Sequence, residues 1–118
     1  MKILLTINGL IELAAGLAFL FWPGIVQHLP GLSEIDDSAG VRMLLSMYGT
    51  AAVVLGIYSF VLLRHTHRGS LMIGSLFLFA LFHTGISTNQ FLVNPDLRPA
   101  IVHALLAIAF WWTYWNRR

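Results

Sequence analysis

The sequence predicts an all-α integral membrane protein, an antiparallel four-helix bundle formed by a single domain of 118 residues. Three observations carry that prediction. Hydrophobic residues make up 58% of the chain and charged residues only 10%, whereas a soluble domain carries roughly a quarter charged residues. Four apolar segments approach or exceed the roughly 20 residues that cross about 30 Å of hydrocarbon. The basic residues collect at one end of those segments, as topology signals do.

The first segment covers residues 3–22 and stops at Pro23-Gly24. Lys2 ahead of an apolar run is how a signal peptide begins, but Glu12 in mid-segment and the length of the run favour a retained helix. The second covers 38–63, its apolar part starting at Met43, and the third covers 70–91. The fourth covers 99–115, with Pro99 suited to a first helical turn.

The connections fit this division. Pro23-Gly24 and Pro30-Gly31 punctuate the first loop, where Ile25, Val26 and Leu29 suit the membrane interface. Residues Arg64 to Gly69 make a short basic turn, and Asn94-Pro95-Asp96 breaks the chain before the fourth segment. Short loops imply antiparallel neighbours.

Charge sets the expected orientation. With four spans, Lys2, Arg64, Arg68, Arg117 and Arg118 share one side. Arg42 and Arg98 fall on the other, with Glu34, Asp36, Asp37 and Asp96. The positive-inside rule then puts both termini in the cytoplasm. An odd number of spans would scatter this asymmetry. Trp111, Trp112, Tyr114 and Trp115 read as an aromatic anchor at the inner interface, and Trp22 marks the outer one.

Several function classes fall away. The chain has no cysteine, so it has no disulfide, thiolate ligand or thiol nucleophile. Its basic residues flank spans and form no basic face, which argues against nucleic acid. There is no nucleophile elbow and no Gly-rich phosphate loop, so no motif specifies a reaction.

Small residues recur on single helical faces: Gly9 and Gly16; Gly49, Ala52 and Gly56; Ala100, Ala104 and Ala107. Lipid tails supply no hydrophobic drive between helices, so close backbone approach at small residues provides the packing. These glycines are expected to be structural.

Ionisable residues inside spans are costly and usually face the bundle interior. Glu12 shares a face with Asn8, Gly9, Ala15 and Gly16. Arg42 shares one with Ser38, Ser46 and Gly49 near the start of the second span. His83 shares one with Ser87 and Gln90, beside Thr84 and Thr88, and His103 with Pro99, Ala100 and Ala107. His83 and His103 are each ten residues from Val93, read as the middle of the third loop, and Glu12 is ten residues from Trp22. That places all three at a similar depth, with Arg42 nearer the outer surface.

Four readings suit this set. Two imidazoles and a carboxylate match a ligand set for iron or zinc. Two histidines on facing helices suit a haem. A carboxylate with histidine suits a quinone headgroup or a proton path. The fourth is a hydrogen-bonded polar plug. His65 and His67 in the basic turn read as a solvated loop, since they lack a third ligand. Asn89 and Gln90 suit a cavity mouth. Arg117 and Arg118 read as a topology anchor facing anionic headgroups.

The run from Gly16 to Gly24, the Ala39-Gly40-Val41-Arg42 opening of the second span and the Gly49 to Gly56 stretch within it resemble the DoxX-like small four-helix bacterial membrane proteins. The resemblance covers nearly the whole chain in layout and rests on few residues, with Arg42 weighing most. It implies a bacterial inner-membrane location. Some DoxX-like members are associated with quinone-linked oxidoreductase complexes, which implies an accessory or quinone-facing role. The His83 and His103 pair lies outside that pattern.

The expectation is therefore a small membrane protein without independent catalysis. Its polar layer of Glu12, Arg42, His83, Ser87, Gln90 and His103 would bind a small hydrophobic ligand, or the chain would serve as an accessory subunit. One alternative is a metal-, haem- or quinone-dependent oxidoreductase component using Glu12, His83 and His103. The other is a transporter or channel, and since 118 residues are too few to alternate access alone, that reading requires a homo-oligomer.

Overall fold

A computed structural model of the chain describes residues 1–28, 38–67, 69–93 and 97–118. Among the described residues all regular structure is helical. Helix α1 runs Lys2–Phe21, α2 Ala39–Arg64, α3 Gly69–Val93 and α4 Arg98–Trp115, with a 3-10 turn at Pro23–His28. All four expected segments are helices, displaced at their ends by no more than one or two residues. Val93 is the last residue of α3 rather than the middle of a loop. Glu34, Asp36, Asp37, Arg68 and Asp96, on which part of the charge asymmetry rests, lie outside the described residues.

Local chemistry explains the boundaries. Trp22 N–H still donates to Ala18 O at 2.8 Å, but Pro23 has no N–H to continue the ladder and the chain tightens. Before α2, the Ser38 hydroxyl accepts Val41 N–H at 3.3 Å, satisfying one donor of the first turn as a capping serine does. Pro99 sits in the first turn of α4, where its missing N–H costs nothing. Asn116 ends α4, its backbone N–H and its side-chain amide both donating to Trp112 O.

α1, α2 and α3 are each long and apolar enough to cross a membrane. α4 is shorter, at 18 residues. It begins with Arg98 and Pro99 and ends in the Trp111 to Trp115 aromatic group, which leaves a shorter purely apolar centre. The outer faces are unlike a soluble protein's, and several polar side chains lie within. Asn8, Glu12, Ser59, Ser75, His83 and Ser87 are buried, while Ile3, Leu10, Leu44, Met47, Val54, Leu78, Leu105 and Ile108 are exposed. Helices apolar on their outer faces suit contact with lipid.

The chain divides into two compact units, Leu5–Leu63 and Arg64–Arg118, the second joined by Met1–Leu4. In the first, α1 and α2 form an antiparallel hairpin closed along glycines. A Cβ built on Gly16 would lie 2.7 Å from Gly49 O and 2.8 Å from Val53 N. One built on Gly56 would lie 3.0 Å from Gly9 O. Gly9 and Gly16 are seven apart, as are Gly49 and Gly56, so two turns along one helix match two turns back along the other. Asn8 Nδ2 donates to Ser59 Oγ at 2.9 Å beside this seam, and Phe19 meets Tyr48 edge-to-face at 5.4 Å.

In the second unit, α3 and α4 form another antiparallel hairpin. α3 buries Met72, Ser75, Leu76, Phe79, Ala80, His83 and Ser87, a stripe at spacings of three and four. α4 answers with Ala100, Leu106, Ala107 and Phe110. Phe79 stacks on Phe110 at 5.0 Å. Towards the α4 terminus, Phe77 packs against Trp111 and Tyr114.

Candidate functional site: a histidine pair in the α3–α4 hairpin

The α3 stripe that packs the second hairpin carries His83 inward, where it is fully buried. Its ring lies nearly parallel to Phe110, at 4° and 5.6 Å, and edge-on to Phe82 at 5.1 Å. These aromatic walls hold the imidazole plane. His103 comes from α4 and is half-buried. Its Nδ1 lies 2.9 Å from His83 Nδ1, with the rings stacked at 5.2 Å. One turn beyond His83, Ser87 Oγ donates to Ala100 O at 3.0 Å and ties the two helices above the pair.

A hydrogen bond between two Nδ1 atoms constrains the protons. One ring donates Nδ1–H and the other accepts on a bare Nδ1, so a neutral pair consists of opposite tautomers. The accepting ring then carries its proton on Nε2, and the donating ring keeps an Nε2 lone pair. In a neutral pair the two Nε2 atoms are therefore one protonated and one bare, whichever ring holds the shared proton. The separation also matches two ligands of one ion. Metal–nitrogen bonds of about 2.0–2.1 Å at a right angle put the nitrogens about 2.9 Å apart.

Beside the pair, a groove of about 280 Å³ runs between α3 and α4, with Thr84, Ser87, Thr88, Ala107 and Trp111 in its wall. Trp111 Nε1 donates to Thr84 Oγ1 at 3.1 Å across one end, and Thr84 Oγ1 donates to Ala80 O at 2.7 Å. The groove sits just below the usual volume range of ligand pockets and suits a small headgroup or one chain.

The other expected site residues fall as follows. Glu12 is buried on α1, in the first hairpin. Arg42 lies in the exposed first turn of α2, its backbone N–H donating to Ser38 O. Gln90 is half-buried two turns from His83, and its Oε1 is buried without a hydrogen-bond partner among the described residues. His65 and His67 stand edge-to-face at 6.3 Å in the turn after α2.

Sequence reasoning brought His83 and His103 to one depth but missed their aromatic setting. Phe110, seven residues from His103, shares its face and was the available signal. It also missed Ser59, which continues the small-residue face of Gly49, Ala52 and Gly56 by one more step. Comparisons with protein-family models, curated proteins and solved structures find no match.

Proposed function

We propose that this chain is a four-span protein of a bacterial inner membrane, with both termini in the cytoplasm, that binds a small hydrophobic ligand through its buried polar residues or serves as an accessory subunit there. The observation that carries the reading is the His83–His103 pair, held at 2.9 Å inside an apolar hairpin. Ionisable groups at membrane depth are expensive and usually mark a ligand or proton path. The pair stands beside a groove that carries hydroxyls. That combination suits a lipid-soluble molecule with a hydrogen-bonding headgroup. The DoxX-like resemblance points the same way, towards a quinone-facing role. Glu12, buried on α1, is a further candidate binding group.

A second reading, a metal- or haem-dependent redox component, is favoured by the 2.9 Å approach of two imidazole nitrogens, a residue type that ligates transition metals.

One experiment separates the two. The protein is purified in mild detergent beside His83→Ala and His103→Ala, and each sample is taken through absorption spectroscopy, elemental metal analysis and solvent extraction with mass spectrometry. A lipid-soluble compound that accompanies the wild type and leaves in both folded variants supports ligand binding. A Soret band or stoichiometric metal lost in both supports the redox reading. Identical, empty profiles in all three overturn both.

A further inference from the structure

The C-terminal end of α4 carries a feature that the histidine pair does not use. An open cavity of about 500 Å³ is bounded by Met1, Trp112, Thr113, Asn116 and Arg117. Leading to it along α4 is an exposed apolar stripe of Ile101, Leu105, Ile108, Trp112 and Trp115. Its spacings of four and three put these residues on one face of the helix. Trp112 belongs to both features. Resting on the reading of α4 as a membrane span, we propose that this end of α4 binds the headgroup of an anionic phospholipid, whose acyl chains lie along the stripe.

The donor and acceptor inventory fits that ligand. Thr113 Oγ1 donates to Ala109 O at 2.7 Å, and Asn116 Nδ2 donates to Trp112 O at 2.9 Å. Their oxygens keep acceptor capacity for headgroup hydroxyls. Among the side chains bounding the cavity the cation is Arg117, whose guanidinium suits a phosphate bidentately. Arg118 is held differently, over the Trp115 ring at 5.5 Å. No Asp or Glu occurs in residues 1–11 or 97–118, so no side-chain carboxylate from those segments opposes an anion. An indole at the cavity rim is the side chain expected at headgroup level.

The test is native mass spectrometry of the full chain in detergent, titrated with phosphatidylglycerol and with phosphatidylcholine of the same acyl chains. Wild type is expected to prefer phosphatidylglycerol about fivefold, on the scale of one basic residue near an anionic surface. Arg117→Gln removes the preference, Arg117→Lys restores part of it and Arg118→Gln leaves it intact. Retention in Arg117→Gln, or equal loss in Arg118→Gln, overturns the proposal in favour of general charge attraction. Displacement by glycerol 3-phosphate at matched concentration also overturns it, because the site would then take free phosphate. A chain that stays in solution without detergent removes the spanning reading itself. A detergent-requiring chain with no lipid preference removes only this site.

Discussion

Gly16 of α1 and Gly49 of α2 stand opposite one another, each facing the other's backbone carbonyl. A Cβ on Gly16 would lie 2.7 Å from Gly49 O, and one on Gly49 would lie 2.9 Å from Gly16 O. Carbonyl oxygens in a helix cannot swing aside as a flexible side chain can, so even one methyl must push the two helices apart. Gly16→Ala is therefore expected to destabilise the hairpin by about 1–3 kcal/mol, the usual range for overpacking. Gly74 and Gly85 on α3 have open space where a Cβ would go. Gly85→Ala should be neutral, or stabilising by up to about 1 kcal/mol through helix propensity. Unfolding in mixed micelles, followed by circular dichroism, compares the two. Equal effects would rule out the close-approach account.

The histidine pair should behave as a coupled unit. His83→Phe keeps an aromatic ring against Phe110 but leaves His103 Nδ1 without its partner. A cost of about 1–3 kcal/mol is expected for the orphaned polar group. His83→Phe combined with His103→Phe removes both polar groups and should be less destabilised than the single variants summed. A coupling of about 0.5–3 kcal/mol is the range for residues in contact. Strict additivity in the double-mutant cycle would mean that the two rings do not share a hydrogen bond.

The proton arrangement of that pair is directly observable. Histidine-selective ¹⁵N labelling in nanodiscs should show His83 and His103 as opposite tautomers, with a scalar coupling between the two Nδ1 atoms through the shared proton. Either single substitution should abolish the coupling and leave the signals of His65 and His67 unmoved. Two rings both protonated only on Nε2 would rule out the shared hydrogen bond and leave the metal-ligand reading of the pair.

Asn8 and Ser59 make a buried bond of a simpler kind, at 2.9 Å across the first hairpin. Ser59 Oγ in turn donates to Leu55 O at 3.0 Å, so the hydroxyl is oriented by its own helix before it accepts from Asn8. Hydrogen bonds between membrane helices average about 0.6 kcal/mol. Ser59→Ala is expected to cost about that much, well below Gly16→Ala, in the same micelle unfolding assay. A loss as large as the glycine's would mean that polar contacts rather than backbone approach dominate this seam.

Much of this architecture was readable one residue at a time. Apolar runs stop where proline and glycine stop them, and Pro23 and Pro99 mark helix ends for reasons within their own rings. The Gly9, Gly16, Gly49 and Gly56 positions announced a close contact because lipid-embedded helices have little else to pack with. The site was less legible. Equal distance from a turn brought His83 and His103 to one height, yet height alone does not show that two rings meet. The loop was also misplaced, since Val93 still belongs to α3.

By itself, then, the sequence determined the helices and the faces they bury, because both follow from local rules: side-chain hydropathy, the period of 3.6 and the backbone limits of proline. Only the tertiary structure decided which atoms touch. That Gly16 meets the carbonyl of Gly49, that His83 offers Nδ1 to His103 while lying flat on Phe110, and that Arg117 rather than Arg118 borders the cavity are outcomes of helix rotation and rotamer choice. Those are settled by packing against neighbours distant in the chain, and no local pattern encodes them.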